Sequence, residues 1–226
     1  MNRRNSLKIG ASALAGMMLT SKSNEAQAAT NETLGSFWDV VKNRRSVRKY
    51  KSNPIPDEHI NKIIDAARMA PTSGNQQPWK FLVIKEKNQI KALKKESLKA
   101  YENYFKETKK FSGEELVEQM KKAEKRLISG YLSAPAYIVI LTNNNSKYPS
   151  YNHHDGPLAA GYLMLAARAL GYGTVYITDA ISVEVTKKAF QIPDNYTRVC
   201  ITPIGIPVEW PTKEKKDFSE FVITKF

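Results

Sequence analysis

Only one cysteine, Cys200, occurs among the 226 residues, so no intramolecular disulfide can brace this chain. It sits in Val199-Cys200-Ile201 between Arg198 and Thr202, an alternation that reads as a strand and marks a buried structural thiol. Histidine is almost as scarce. His153 and His154 are adjacent and only His59 remains, so Asp155 finds too few convergent partners for zinc, which needs three or four, and no metal centre is expected. There is no Gly-rich dinucleotide fingerprint, no internal repeat and no low-complexity tract. The apolar stretch from Ile9 to Leu19 falls well short of the ~20 residues that span a bilayer. Acidic residues are in deficit, 22 against 35 Lys+Arg, for a net charge of +13. Such an excess attracts phosphates, anionic lipids or acidic substrates. The basic residues are spread along helix faces without interleaved aromatics, so nucleic acid is not an expected partner.

The beginning of the chain reads as an address. Asn2-Arg3-Arg4-Asn5-Ser6-Leu7-Lys8, the short apolar stretch and Ala26-Gln27-Ala28 resemble a twin-arginine export signal with a small-x-small cleavage site. Residues 1–29 are therefore expected to be a signal peptide, leaving 30–226 as one exported domain, periplasmic and without stable membrane insertion. Arg3, Arg4, Lys8, Lys22 and Glu25 carry a net +3 of the +13, so the mature chain keeps +10.

Hydrophobic periodicity then alternates helices with short strands. Ser36 can cap a helix holding Phe37, Val40 and Val41, with Asp39 in capping-box position. Ile60, Ile63, Ile64 and Ala67 mark a helix from Asp57, ended by Pro71. Phe81 to Ile84 reads as the first central strand and Gln89 to Phe105 as an amphipathic helix; Ser112 and Glu115 open another. Ala136 to Leu141 is a continuous apolar run suited to a fully buried strand. Pro157 to Leu170 is apolar nearly all round, which suits a buried helix. Thr174 to Ile177 reads as a strand, Val183 to Phe190 as a helix and Arg198 to Ile204 as the last core strand. The fold class is α+β, a mixed sheet surrounded by helices.

Two segments carry the chemistry. Arg44-Arg45-Ser46-Val47-Arg48 gathers guanidinium forks that suit a phosphate. Pro71-Thr72-Ser73-Gly74-Asn75 puts hydroxyls, an amide and a glycine on one turn. Together with Leu170-Gly171-Tyr172-Gly173-Thr174 and Pro203-Ile204-Gly205-Ile206-Pro207, they resemble the FMN-dependent nitroreductase family from about Phe37 to the C-terminus. The resemblance implies an intertwined homodimer with two shared FMN sites. It places Arg44 and Ser46 at the phosphate and ribityl chain, Arg45 beside them and Arg48 at the pyrimidine edge. There a cation favours the reduced ring. Asn75 is assigned to the ring edge, and Pro71, Thr72 and Ser73 come from the other subunit.

A C-terminal arm ending in Phe218, Phe221 and Val222 is expected to cross to the partner, with Lys216, or else Lys213 or Lys215, at the phosphate. Ile177 and Thr178 stand where many relatives have small residues, and the Thr178 hydroxyl or amide can face flavin N5 and admit one-electron steps. A plain strand-end threonine is the competing reading. Tyr101, Tyr104 and Phe105 are candidates to cover a small-molecule acceptor. The implied activity is ping-pong reduction of nitroaromatics, quinones or similar acceptors, with NAD(P)H binding transiently over the flavin and no catalytic side chain required. Export makes another donor, such as a quinol or a redox protein, an open alternative. Reductive dehalogenation or oxygen-dependent flavin chemistry on the same fold is the first rival; a non-enzymatic cationic envelope protein is the second.

Overall fold

The computed structural model describes residues 35–212 and 214–223; the signal-like segment 1–29 and Lys213 lie outside the described residues. The elements are α1 (Phe37–Asn43), α2 (Asp57–Ala67), β1 (Trp79–Ile84), α3 (Lys87–Glu107), α4 (Gly113–Ile128), β2 (Ala136–Asn143), α5 (Asn152–Ala169), β3 (Gly173–Thr174), α6 (Val183–Phe190) and β4 (Tyr196–Gly205). The strands pair antiparallel in the order β1-β2-β4-β3. A parallel bridge from Ser46 to Thr174 supplies the mixed character.

The continuous apolar run of β2 is explained by burial on both faces. Tyr137, Val139 and Leu141 pack with Leu93 of α3, Leu127 of α4 and Val185 of α6. Ile138 and Ile140 point the other way, onto Ile60 and Ile63 of α2 and Leu163 and Ala167 of α5. The sheet is thus the middle of three layers, and each fully buried Ile or Leu contributes about 1.5–3 kcal/mol. Ser36 caps α1 as expected, its Oγ accepting from the Asp39 N–H at 3.1 Å and donating to Asp39 Oδ2 at 2.6 Å. Cys200 is buried.

Three expectations change. β1 is an edge strand, paired only with β2 among the described residues. α5 begins at Asn152, a turn and a half before Pro157. The Asn152 side chain, donating from Nδ2 to Asn143 O at 2.9 Å, anchors that early turn. The strand expected over 174–177 is only two residues long, followed by a lone bridge from Ile177 to Ile201. Ile177 and Ile201 exchange both backbone hydrogen bonds, at 3.2 and 3.1 Å. The next such pair toward β3 is Val175 with Pro203, and proline has no N–H to give, so the ladder breaks there.

Candidate functional site

α1 stops at Arg44, whose N–H still bonds Val40 O at 2.9 Å, and the chain then runs extended along β3, with Val47 N–H on Thr174 O at 3.0 Å. This close approach needs Gly173: a Cβ there would stand 2.6 Å from Val47 Cγ2 and 2.9 Å from Pro207 Cγ. Arg45 folds back on the end of α1, donating from Nη1 to Lys42 O at 2.6 Å and to Arg44 O at 2.9 Å. Its Nε is buried without a partner. Arg48 donates from Nε to Tyr131 Oη at 3.2 Å and from Nη1 to Ser46 O at 3.1 Å. Among the described residues no carboxylate forms an ion pair with Arg44, Arg45 or Arg48. Burial, and then the neighbouring Arg45, hold the Arg44 guanidinium below its ordinary pKa. A bound anion would relieve both costs.

The second segment is a tight loop with Gly74, Asn75 and Gln77 at φ of 54, 51 and 48°. Such left-handed residues persist where surrounding contacts over-determine them. Here Thr72 Oγ1 accepts from the Gln77 N–H at 3.1 Å, and Gln77 Nε2 donates to Asn75 Oδ1 at 2.9 Å. The main anchor is Asp155 in the first turn of α5, only 2% exposed. Its carboxylate accepts from the Ser73 N–H at 3.0 Å and from Gln76 Nε2 at 2.7 Å. Sequence reasoning weighed Asp155 only as a metal ligand short of partners, because Ser73, which it anchors, is 82 residues away and leaves no local signal. His153 and His154 stay exposed beside it, and no cluster of three or more potential metal ligands exists among the described residues.

The two segments lie at opposite ends of the sheet. Ser46 bridges Thr174, which faces Ile204, which faces Ala136; the Thr72–Gln77 loop enters β1 at Trp79, which faces Thr142. Six residues of β2 separate those ends, about 20 Å at the rise of an extended strand.

Between them Ile177 is buried and Thr178 exposed. The Thr178 carbonyl accepts from Arg198 Nη2, and the same guanidinium donates from Nη1 to Ile181 O at 2.5 Å, Ser182 O at 3.1 Å and Thr186 Oγ1 at 2.9 Å. Arg198, read from sequence only as a strand residue, therefore fixes the 178–182 loop. That loop walls a cavity of about 450 Å³ shared with Tyr101 and Tyr104 of α3 and Arg126 of α4. Phe105 is not in the lining; it packs against Tyr101, Tyr104 and Phe111.

Residues 41–206 match the model of the nitroreductase family. The chain belongs to that family. An Archaeoglobus fulgidus protein with the provisional name NADH dehydrogenase/NAD(P)H nitroreductase is 29% identical over 189 residues, covering 80% of this chain and 88% of the relative. The iodotyrosine deiodinase of Thermotoga neapolitana is 29% identical over 175 residues, covering 76% and 88%. A solved iodotyrosine deiodinase bound to FMN and 3-iodo-L-tyrosine shares the fold, with a TM-score of 0.65 at 22% identity over 84% of this chain and 98% of that one.

In this nitroreductase-family chain the C-terminal lysines stand apart from the arginine cluster in their contacts. Lys216 pairs with Glu220 at 2.9 Å, Lys215 is exposed, and Phe218 and Phe221 are 77% and 65% exposed. Phe37 and Trp38 are also exposed, at 63% and 75%, beside an apolar groove between α1 and α5. No helix among the described residues is long and apolar enough to cross a membrane.

Proposed function

We propose that this protein is an FMN-dependent oxidoreductase that passes reducing equivalents from NAD(P)H to electron-poor small molecules such as nitroaromatics or quinones, in a homodimer with shared sites. The observation that carries this reading is the half-buried pair Arg44 and Arg45 at the end of α1, followed by the exposed Arg48, all three without an ion-paired carboxylate among the described residues and with an orphaned Arg45 Nε. Family membership favours an enzyme over a cationic envelope protein.

The donor set fits a flavin phosphate. Arg44, Arg45 and Ser46 would hold it by charge-assisted hydrogen bonds. Arg48, steadied by Tyr131 and the Ser46 carbonyl, would serve the pyrimidine edge. Thr72, Ser73 and Asn75 are proposed to come from the partner chain, since within one chain their loop and Ser46 lie at opposite ends of the sheet, about 20 Å apart along β2. The exposed aromatics of α1 and of the C-terminal arm supply apolar surface for that partner. When bound, FMN supplies the hydride chemistry, accepting from the nicotinamide and giving to the acceptor. The chain's own work is to bind, orient and exclude water, with no nucleophile required. Lys213, Lys215 and Lys216 remain proposed phosphate contacts from the arm. Export by the twin-arginine route to the periplasm is likewise part of this proposal.

Reductive dehalogenation is the second reading. It is favoured by the deiodinase relatives and by Thr178, exposed and with no hydrogen bond from its hydroxyl among the described residues. Purified protein should show flavin absorption that bleaches with dithionite. Arg44→Ala should weaken FMN retention by about 1.5–3 kcal/mol, the worth of a charge-assisted contact. A colourless protein that takes up no FMN would end the reading. Turnover of halogenated phenols against nitroaromatics separates the two chemistries.

A further inference from the structure

Arg44 and Arg45 are half-buried, but Arg48 is exposed. A long side chain in such a place gives up much rotamer freedom when a ligand orders it. Here a short 3-10 turn from a distant part of the chain, Tyr131–Ser133, has already ordered it. Arg48 Nε donates to Tyr131 Oη at 3.2 Å across 83 residues of sequence, and the guanidinium carbon lies 6.0 Å from the centre of the same ring. Nη1 donates to Ser46 O at 3.1 Å. A guanidinium has five N–H donors, so the contacts that hold it leave part of the fork open.

The turn is itself fastened to the segment that carries Arg48. α4 leads into it through Gly130, which is buried and has no room for a side chain: a Cβ would stand 2.1 Å from Arg126 O and 3.7 Å from Arg48 O. Ser133 Oγ donates to Gly130 O at 2.7 Å and accepts from the Tyr50 N–H at 3.1 Å. Tyr137 Oη donates to Tyr131 O at 3.4 Å. On the other side Tyr50 Oη donates to Val47 O, whose own N–H bonds Thr174 O at 3.0 Å. Backbone on both flanks of Arg48 is therefore fixed. The Tyr131 ring packs against the core beneath α3 and α4, a task that phenylalanine would perform equally well. Its hydroxyl serves Arg48.

We propose that Tyr131 is a positioning residue, which holds the Arg48 guanidinium in one extended pose at the pyrimidine edge of the flavin and so sets how strongly the protein favours reduced FMN. The inference rests on the FMN reading above. A cation at that edge favours the reduced ring, and one free to swing into water and salt acts on it less. In the FMN-loaded protein Tyr131→Phe should lower the preference for reduced over oxidised FMN about three- to ten-fold, which is roughly 15–30 mV for a two-electron couple, read against a reference dye. Arg48→Gln should lower it at least as far. Adding Tyr131→Phe to Arg48→Gln should then change nothing more, because the hydroxyl acts only through the guanidinium. A purely structural tyrosine would instead lower the unfolding midpoint and leave the potential intact. An unchanged potential in Tyr131→Phe, or the same fall in the Arg48→Gln background, would overturn the proposal. The hold is also readable without flavin: the Arg48 Nε–H resonance should exchange slowly with solvent in the wild type and quickly in Tyr131→Phe, and equal rates would overturn it too. Slow exchange in a protein that takes up no FMN would support the hold on Arg48 and defeat the oxidoreductase reading instead.

Discussion

Replacing Arg198 by methionine should destabilise the protein by about 2–4 kcal/mol, and the structure shows where that figure comes from. The guanidinium is 6% exposed and satisfies four acceptors, three of them carbonyls of a single loop. Thr178 is exposed and Ser182 half-buried, so their carbonyls can turn to water. Ile181 and Thr186, 1% and 0% exposed, cannot. The abandoned Ile181 carbonyl costs about 1–3 kcal/mol and the lost bond to Thr186 Oγ1, which keeps its own donation to Ser182 O at 3.0 Å, about 1.5–3 kcal/mol, and relief from burying a cation returns part of this. Burial already pulls the Arg198 pKa below its ordinary value. For a domain of this size the expected loss corresponds to roughly 4–16 °C in Tm. Urea unfolding at a fixed FMN concentration is the suitable assay, since bound ligand raises apparent stability, and the m-value should stay constant. Arg198→Lys, which keeps the charge but not the fork, should fall between the two. A loss under about 1 kcal/mol for the methionine variant would refute the account of a guanidinium that staples the loop.

Asp155→Ala should release the Ser73 loop; amide exchange over residues 72–77 should quicken and FMN affinity drop by about 1–3 kcal/mol, while unchanged protection would deny the anchor. Gly74→Ala should cost about 1–2 kcal/mol in thermal or denaturant unfolding, because the residue is left-handed and the new Cβ would sit 2.4 Å from the Tyr148 ring. Cys200 should be inert to thiol reagents at pH 8 until the protein is unfolded. Burial pushes its thiol up to about 12 in the folded state. The raised pKa means that its contribution is intact below the ordinary thiol value of about 8.5 and is lost as pH climbs toward the folded value. Alkaline unfolding should therefore be shallower in Cys200→Ala, and equal slopes would count against a buried thiol.

Local pattern was enough wherever one segment's own residues decided its structure. The two-faced burial of β2 follows from its unbroken apolar run, the α1 cap from Ser36 and Asp39, and α6 runs over the expected Val183 to Phe190. What escaped was decided between distant residues. The break after Thr174 is set by Pro203 on the neighbouring strand, and the edge position of β1 by pairing order rather than composition. The same holds at the candidate site. Its arginines and its serine-asparagine turn were visible as motifs, but Asp155 under that turn and Arg198 under the 178–182 loop act across gaps of 82 and 20 residues. No periodicity points across such distances.

The placing of Ser46 and Ser73 at opposite ends of one sheet has a genetic consequence for the proposed homodimer. A chain damaged at Arg44 and a second chain damaged at Asn75, once paired, would concentrate both lesions in a single pocket and leave its twin wholly wild type. Two dead alleles co-expressed would then rescue one another, whereas either alone would stay silent.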